Sequence, residues 1–492
     1  MKKLKIGISI LAVLIVTGAI GLTGCSNEKY TKDYVPIEVN SAVSVQFPDF
    51  KFDNNEGQYY MSDNSAAAEN GYYFITKNVS KSGQNNFIYY FDMTSESSVP
   101  LCSNIQCKHN DSSCDAYITN EECLGQMIWY YSGRLYMIER TAENDILVSY
   151  DTEGRNKNTV CILSEGNSFV GYKIAAGGSA CISGGYLYYT LYDTKSVIDN
   201  IKVHRIELKN NAKAEEVGAF SMDAGAQAGY QNCFRFYPLN DKVYIYVREI
   251  MSSDKSTNRV FSYDITEKSF NTEIEIKDSD EAKICRGDIY SWVSNGASAI
   301  DSEENIYYIS FVKGDAVPKD IGLNVYSGIC ILNKYNISTK VNKELYVLES
   351  SNTELACDNT MKIGGYDGQY IYLYESLVPS TKKSQPLEDS NNLNIMNADG
   401  SIVDKIHFSV NSASSGDFRL TINVFGGDQR YLMISTTLQD IIGMEYSDEM
   451  IAAIKVWVEQ KTQANLASEV VAVLDKNQIG SGKLSLTKVK VQ

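Results

Sequence analysis

Segments rich in tyrosine and isoleucine recur along the chain, and each is opened by a short turn rich in glycine, asparagine or aspartate. The segments repeat at intervals of about 50 to 65 residues, near the period of propeller blades with long loops. A second strand-like stretch that ends in a turn follows each of them, and then a third, shorter one, as in YYFDMTSE and SVPLC. The seven opening segments are NGYYFIT, SGRLYMI, SGGYLYYT, NDKVYIYV, EENIYYIS, DGQYIYLY and GGDQRYLMIS.

A fourth strand of small residues comes before the opening turns, for example SAAAE, SACI, SAID and MKIGGY. Four short antiparallel strands, A to D, repeated seven times predict an all-β fold, a seven-bladed β-propeller of four-stranded blades. Two stacked β-sandwiches are the alternative, but one unit repeating at one period favours the propeller. The propeller is expected to span 56–492, with 57–69 supplying strand A of the first blade and KLSLTKVKV an outer strand of the last. The ring would then close without exchange of a terminal strand.

The strand order also sorts the loops by length. Because neighbouring strands are antiparallel, the A–B and C–D turns share one face, and the B–C and D–A connections share the other. The B–C loops are long, at 311–325, 377–392 and 437–465. The last is a candidate helical insertion, with Met450, Ile454 and Trp457 on one helical face, although IKVWV also suits a strand. A function carried by loops is expected on this long-loop face.

The N-terminus has the pattern of an export signal. MKKLK supplies three lysines, 6–20 is almost continuously apolar, and Leu-Thr-Gly-Cys ends at Cys25. This pattern predicts a signal peptide over 1–24, because the apolar run is short for a transmembrane helix of about 20 residues. LTGC resembles the lipobox of bacterial lipoproteins. The resemblance implies a lipid anchor on Cys25 and a location on the extracytoplasmic face of the cell membrane, with 25–55 as the lipidated N-terminus and tether.

The net charge of the chain bears on the class of partner that it can bind. The formal net charge is −16. An acidic surface repels nucleic acid, and no basic patch with interleaved aromatic residues occurs, so nucleic-acid binding is not expected.

The run PLCSNIQCKHNDSSCDAY brings Cys102, Cys107, His109 and Cys114 close together, and Cys123 follows. Cysteine and histidine are the ligands of tetrahedral zinc, which makes a structural zinc site one interpretation. Disulfides such as Cys107–Cys114 or Cys102–Cys123 are another, since they form in exported proteins. A reduced structural knot is the third. We expect the first four residues to converge in the D–A connection between the first two blades, on the long-loop face, and to stabilise that loop without taking part in catalysis.

The remaining cysteines, which lie in or beside strands, are expected to be small buried apolar residues. They are Cys161, Cys181, Cys233, Cys285, Cys330 and Cys357.

The Cys/His run, together with the lipobox and the tyrosine-rich repeats, resembles a group of Gram-positive cell-envelope lipoproteins of unknown function. The mature part of those proteins is a β-propeller similar to the propeller domain of the low-density-lipoprotein receptor. The resemblance implies architecture and location, and it supplies no reaction and no catalytic residue.

Catalytic motifs do not emerge from the sequence. His204 and His407 alternate with apolar neighbours as half-buried strand positions do, and neither a G-x-S-x-G elbow nor an H-E-x-x-H pair occurs. The acidic clusters at 278–281 and 301–304 lie in predicted turns, where solvated charge is expected. A non-catalytic module that binds a glycan, a peptide or an envelope partner is therefore the first interpretation. The alternative is a polysaccharide hydrolase or lyase, which needs two facing carboxyl groups about 5 to 10 Å apart.

Overall fold

The computed structural model describes most of the chain from residue 34 onwards. Residues 1–33, which include Cys25 and the predicted signal peptide, lie outside the described part, and residues 34–492 form one compact unit. The described residues are 34–38, 65–68, 70–80, 83–95, 97–109, 111–118, 123–165, 180–192, 200–221, 233–252, 255–277, 298–316, 326–348, 357–379, 391–408, 410–411, 417–427, 430–441, 445–446, 469–481 and 483–489.

The predicted seven-bladed propeller of four-stranded antiparallel blades is confirmed. The strands of blades 1 to 3, with one N-terminal strand, are β1 (Tyr34–Glu38), β2 (Ser65–Ala68), β3 (Gly71–Ser80), β4 (Gly83–Asp92), β5 (Ser97–Pro100), β6 (Tyr117–Ile118), β7 (Cys123–Tyr131), β8 (Arg134–Arg140), β9 (Asn144–Asp151), β10 (Asn158–Glu165), β11 (Ala180–Ser183), β12 (Tyr186–Tyr192), β13 (Asn200–Glu207) and β14 (Glu215–Ser221).

The strands of blades 4 to 7, together with the separate two-stranded sheet of β27 and β30, are β15 (Cys233–Leu239), β16 (Lys242–Ser252), β17 (Lys255–Asp264), β18 (Ser269–Lys277), β19 (Ser298–Ile300), β20 (Asn305–Ala316), β21 (Tyr326–Asn336), β22 (Asn342–Leu348), β23 (Cys357–Tyr366), β24 (Tyr370–Pro379), β25 (Asn391–Asn397), β26 (Ile402–Phe408), β27 (Val410–Asn411), β28 (Asp417–Gly427), β29 (Tyr431–Ile441), β30 (Glu445–Tyr446), β31 (Glu469–Asp475) and β32 (Lys483–Val489). The described helix is a single 3₁₀ turn, Lys476–Gln478. Within the described ranges, no helix has the length and hydropathy that crossing a membrane requires.

The ring closes as expected, because β2 is strand A of blade 1 and β32 is strand D of blade 7. The structure adds a strand at the outer edge of blade 7 that the sequence did not predict. β1 pairs antiparallel with the outer edge of β32, from Tyr34 opposite Thr487 to Glu38 opposite Lys483. Five residues of the segment proposed as a tether therefore belong to the sheet of blade 7.

The prediction of small residues in strand A holds for β2, β11 and β19 but is wrong for blades 2 and 4. Trp129 in β7 and Phe234 and Phe236 in β15 are all buried. They pack in the apolar clusters that join blade 2 to blade 3 and blade 3 to blade 4. A strand A can therefore carry large side chains where the neighbouring blade provides apolar surface for them.

The core of the propeller lies between the blades, where the tyrosine-rich strands face one another. Several tyrosine hydroxyls also form hydrogen bonds across these interfaces between blades. Tyr73 donates to the carbonyl of Thr152 in blade 2 at 3.1 Å, and Tyr237 donates to the carbonyl of Ser298 in blade 5 at 2.7 Å. The tyrosines therefore supply apolar area for packing and a polar link to the next blade.

The predicted insertion at about 437–465 lies mostly outside the described residues. Residues 437–441 complete β29, and the short β30 pairs with β27. The two other long B–C loops are shorter than predicted, because β20 extends to Ala316 and β24 to Pro379. Their remaining residues, 317–325 and 380–390, are not described.

Candidate metal centre

The Cys/His run forms a loop inserted into the outer strand of blade 1. β5 pairs with one edge of β4, and β6 pairs further along the same edge. At the point of interruption, Leu101 N donates to Ile88 O and Ile88 N donates to Ala116 O, both at 2.9 Å. Strand D thus continues after the interruption. Residues 102–115 form an inserted loop within it, here named the Cys/His loop.

This position corrects the sequence-based prediction, which placed the run in the D–A connection on the long-loop face. Strand D resumes after the loop, so the connection to β7 begins only after Ile118. The loop instead lies beside the C–D turn of blade 2, where the carbonyl of Leu101 closely approaches Gly154. The prediction was wrong because the two-residue β6 is too short to recognise in the sequence.

The four predicted ligand residues do converge. One ligand atom from each of Cys102, Cys107, His109 and Cys114 lies within 4.8 Å of the other three. His109 Nδ1 is 3.3 Å from Cys114 Sγ. In tetrahedral zinc sites with Zn–S bonds of about 2.3 Å, ligand atoms are roughly 3.8 Å apart, so the cluster has nearly the dimensions of such a site.

Two local turns aim the side chains inward. Cys107 N donates to Asn104 O at 3.0 Å, and Cys114 N donates to Asp111 O at 3.1 Å. The side-chain oxygens of Asn104 and Asp111 also accept backbone N–H bonds two residues on, which is the Asx-turn arrangement. His109 has a φ of 50°, in the left-handed region, and this backbone conformation lies between the two turns.

The thiols of the cluster differ in their surroundings. Cys114 is buried, whereas Cys102, Cys107 and His109 are half-buried. Burial raises the pKa of the Cys114 thiol, and hydrogen bonding with the neighbouring Cys107 and Cys102 raises it further. A divalent cation among the thiols would favour the thiolate instead, because coordination deprotonates a thiol.

The cysteines of the cluster carry free thiols, with no disulfide between described residues of the loop. Cys123 begins β7 opposite Glu139, and its side chain lies outside the described part, so the Cys102–Cys123 pairing is not tested. Cys161, Cys181 and Cys330 are buried, as expected for small apolar residues.

The remaining sequence candidates whose side chains are described are not assembled into a metal site. Burial raises the pKa of Cys161 to about 12, so its thiol is protonated and inert near neutral pH. His204 stacks on Tyr189 with ring centroids 5.6 Å apart, and burial lowers the pKa of its imidazole. The side chains of His407, Cys233, Cys285 and Cys357 are not described.

Among the described residues, the buried carboxyl groups, which are the candidates for acid or base catalysis, are all hydrogen-bonded within the protein. The six in the described part accept hydrogen bonds from side chains or backbone of their own or a neighbouring blade. Their donors include Tyr150 for Glu139, Arg140 for Asp145, Asn305 for Asp301, Tyr372 for Asp367, Asn394 for Glu375 and Gly480 N for Asp404. The expectation of solvated charge at 301–304 is wrong for Asp301, which is only 4% exposed.

A pocket of about 390 Å³ lies next to the Cys/His loop, between blades 1 and 2. Asp115 and Tyr117 line one side, and the other side is formed by blade 2 residues that include the basic Arg155 and Lys157. Lys157 Nζ is 2.7 Å from Glu139 and 5.7 Å from the centre of the Tyr150 ring. This pocket could not be predicted from the sequence, because its two sides come from separate blades.

No family model and no curated protein matches the chain. Among solved structures, TolB from Acinetobacter baumannii is 12% identical with a TM-score of 0.31, covering 84% of this chain and 78% of TolB. Dipeptidyl peptidase 4 from Porphyromonas gingivalis is 11% identical with a TM-score of 0.36, covering 82% of this chain and 56% of the peptidase. The GH93 α-L-arabinofuranosidase of Fusarium graminearum is 10% identical with a TM-score of 0.31, covering 64% of this chain and 90% of that enzyme.

The chain thus spans little more than half the length of the peptidase. Because identity and TM-score are low, the activities of these proteins do not transfer to the chain. Its own strand order, with seven sheets that each contain four antiparallel strands in the order of the chain, makes it a seven-bladed β-propeller.

Proposed function

We propose that the protein is a non-catalytic binding module, a lipid-anchored extracytoplasmic propeller that recognises a glycan, a peptide or an envelope partner. The bonding of the buried carboxyl groups carries this proposal. Glycoside cleavage needs one carboxyl group as acid and a second as base or nucleophile, both facing the substrate. In the described part of the chain, the buried carboxyl groups are instead committed to holding turns and neighbouring strands.

The pocket between blades 1 and 2 is where a binding test begins. Arg155, Asn156 and Lys157 supply hydrogen-bond donors, and Tyr117 and Tyr150 supply aromatic surface. A few convergent polar groups beside aromatic faces are typical of small-molecule and sugar sites. Ligand binding here would involve the C–D turn of blade 2 and the end of the Cys/His loop.

Binding is tested with the full chain in detergent on glycan and peptide arrays, with a parallel assay for polysaccharide cleavage. We expect a selected ligand that is retained and not cleaved. Replacing Arg155 and Lys157 together by alanine should weaken retention at least tenfold, whereas Lys213→Ala, an exposed lysine in blade 3, should not change it. Cleavage of a polysaccharide by the chain would establish the hydrolase or lyase alternative, and retention of no glycan or peptide would contradict the proposal.

The location is tested separately through Cys25. With Cys25 lipidated, the protein should sediment with membranes, because two acyl chains anchor a protein stably whereas one binds marginally. Cys25→Ser should release the exported protein into the soluble fraction, and Cys161→Ser, which alters a buried thiol of blade 2, should not. Membrane retention of a processed Cys25→Ser protein would contradict the lipid anchor.

A further inference from the structure

We propose that Cys102, Cys107, His109 and Cys114 together bind one zinc ion, and that the ion holds the Cys/His loop in its folded form. The four ligand atoms lie within 4.8 Å of one another in a segment that contributes no strand pairing of its own. A zinc ion bound here is structural and takes no part in any reaction of a molecule that the protein binds.

The donor set selects the metal. Calcium and magnesium take oxygen ligands, and cubane iron–sulfur clusters are held by four cysteines. Three thiolates with one imidazole form one of the standard ligand sets of closed, four-coordinate structural zinc sites. Three cysteines and one histidine from a single short loop match that set without a residue left over.

The loop lacks the apolar packing that would order it without a metal. Of its described residues, 102–109 and 111–115, Cys114 alone is buried, and Ile105 is fully exposed. Ordering a loop costs conformational entropy, and an exposed loop recovers little of that cost by burial. A metal bond to each of four side chains supplies the missing stabilisation.

The ends of the loop are already fixed, so the ion would order only its interior. Leu101 and Ala116 are bonded to the same residue, Ile88, on the neighbouring strand. Inside the loop, His109 N lies 3.4 Å from Cys107 Sγ and points its N–H toward the sulfur. Hydrogen bonds of this kind support a thiolate ligand, as outer-shell partners do at metal sites.

A disulfide explains the cluster less completely. It would join two of the three thiols, and it would leave the third thiol and the His109 ring without a reason to converge. The Cys107–Cys114 disulfide therefore remains an outcome of the test and not part of the proposal.

The ion would also fix one side of the pocket between blades 1 and 2. Asp115 directly follows the ligand Cys114 and lines that pocket, and its carboxylate lies 3.8 Å from Cys102 Sγ. Loss of the metal should therefore disturb this side of the pocket while the C–D turn of blade 2 stays in place.

The test is metal analysis of the full chain, purified without chelator and with zinc in the growth medium. We expect one zinc per chain in the wild type and in Cys161→Ser, and less than a tenth of that in Cys107→Ser and in His109→Ala. Replacement by cobalt should give the intense visible absorption of tetrahedral cobalt–thiolate sites. Zinc content is measured without any ligand, so this result is independent of the binding test.

A second measurement covers the case in which the variants fail to fold. In the wild type, a strong chelator should release the zinc and make the thiols of the loop reactive, and added zinc should protect them again. Wild-type protein without zinc, or with a mass two hydrogens lower in the peptide that contains the loop, would overturn the proposal. Stoichiometric zinc that survives both substitutions would also overturn it.

Discussion

The A–B turn of blade 5 and the Cys/His loop of blade 1 are both polar segments, but they are held in place by different means. In the turn, Asp301 Oδ1 accepts N–H bonds from Glu303 and Asn305, each at 2.9 Å, and Asp301 Oδ2 accepts the hydroxyl of Tyr307 at 2.7 Å. One buried carboxylate thus organises the turn and the start of the next strand. In the loop, by contrast, one side-chain atom from each of three cysteines and one histidine converges with the others. A short turn can therefore be completed by its own hydrogen bonds, whereas we expect this long loop to need the proposed zinc ion.

Blade 6 repeats the arrangement of blade 5. Asp367 accepts N–H bonds from Gln369 at 2.9 Å and Tyr370 at 2.7 Å, and the hydroxyl of Tyr372 at 2.5 Å. It also forms an ion pair with Lys476, a fully buried lysine of blade 7. The turn of blade 6 therefore also joins two blades.

The largest expected effect is at this ion pair. Lys476→Ala should lower the free energy of unfolding by about 3 to 5 kcal/mol, because it leaves the buried carboxylate of Asp367 without its cation. Denaturant unfolding measures the change, with the exposed Lys213→Ala as the control. A loss below 1 kcal/mol would show that the turn of blade 6 does not need its partner in blade 7.

Removing the carboxylate of blade 5 should have the next largest effect. Asp301→Ala should cost about 3 kcal/mol, since several buried donors lose their acceptor at once. Ser302→Ala, at the neighbouring exposed position, should change stability by less than about 0.5 kcal/mol. Zinc content should be the same in both variants, and a loss of zinc in Asp301→Ala would contradict the separation of turn and loop.

A smaller effect is expected where the loop meets blade 2. Gly154 has a φ of 77°, and a Cβ atom on it would lie 2.4 Å from the carbonyl oxygen of Leu101. Gly154→Ala should therefore cost about 1 to 2 kcal/mol. Gly133→Ala, at a glycine with similar φ but open space around its Cβ position, separates the backbone cost from the contact. Equal costs at the two positions would mean that the contact with Leu101 contributes nothing.

The smallest effect is a pH dependence at the seam between blades 4 and 5. Glu304 accepts the hydroxyl of Tyr244 at 2.5 Å, and this bond, with those from Ser338 and Lys242, lowers the pKa of the Glu304 carboxyl below its ordinary value of 4.5. The unfolded chain thus binds this proton more readily than the folded one. The stabilisation is complete above pH 4.5 and is lost as the pH falls through the folded pKa.

Glu304→Gln should therefore reduce the loss of unfolding free energy at acidic pH by less than about 1 kcal/mol. Denaturant unfolding at a series of pH values measures it, with Glu267→Gln in the C–D turn of blade 4 as the control. An unchanged slope below pH 4.5 in Glu304→Gln would contradict the assignment.

The repeat was predictable because the sequence of each blade contains its own local pattern of turn and strand residues. A turn followed by alternating tyrosine and isoleucine needs no tertiary information, so the B strands from β3 to β29 were found in the sequence. The large residues of β7 and β15 were not predictable, because the size of the side chains that a strand A can carry depends on the surface of the neighbouring blade.

The sites were predictable only in part. The convergence of Cys102, Cys107, His109 and Cys114 follows from their spacing, but the position of the loop depends on β6 pairing again with β4, which is a tertiary contact. The role of Asp301 was missed because an aspartate in a turn usually faces solvent. The available signal was a tyrosine in the following strand, six residues after Asp301 and five residues after Asp367.

Hydrogen–deuterium exchange of the full chain, with bound zinc and after its removal by a chelator, tests the difference between turn and loop most directly. Local opening free energies are read from such exchange residue by residue. We predict that amides of 104–114 are protected with zinc and exchange rapidly without it, while those of 303–305 and 369–370 keep their protection. Unchanged protection of the loop after the metal is removed, or equal loss of protection in the loop and in both turns, would contradict the account.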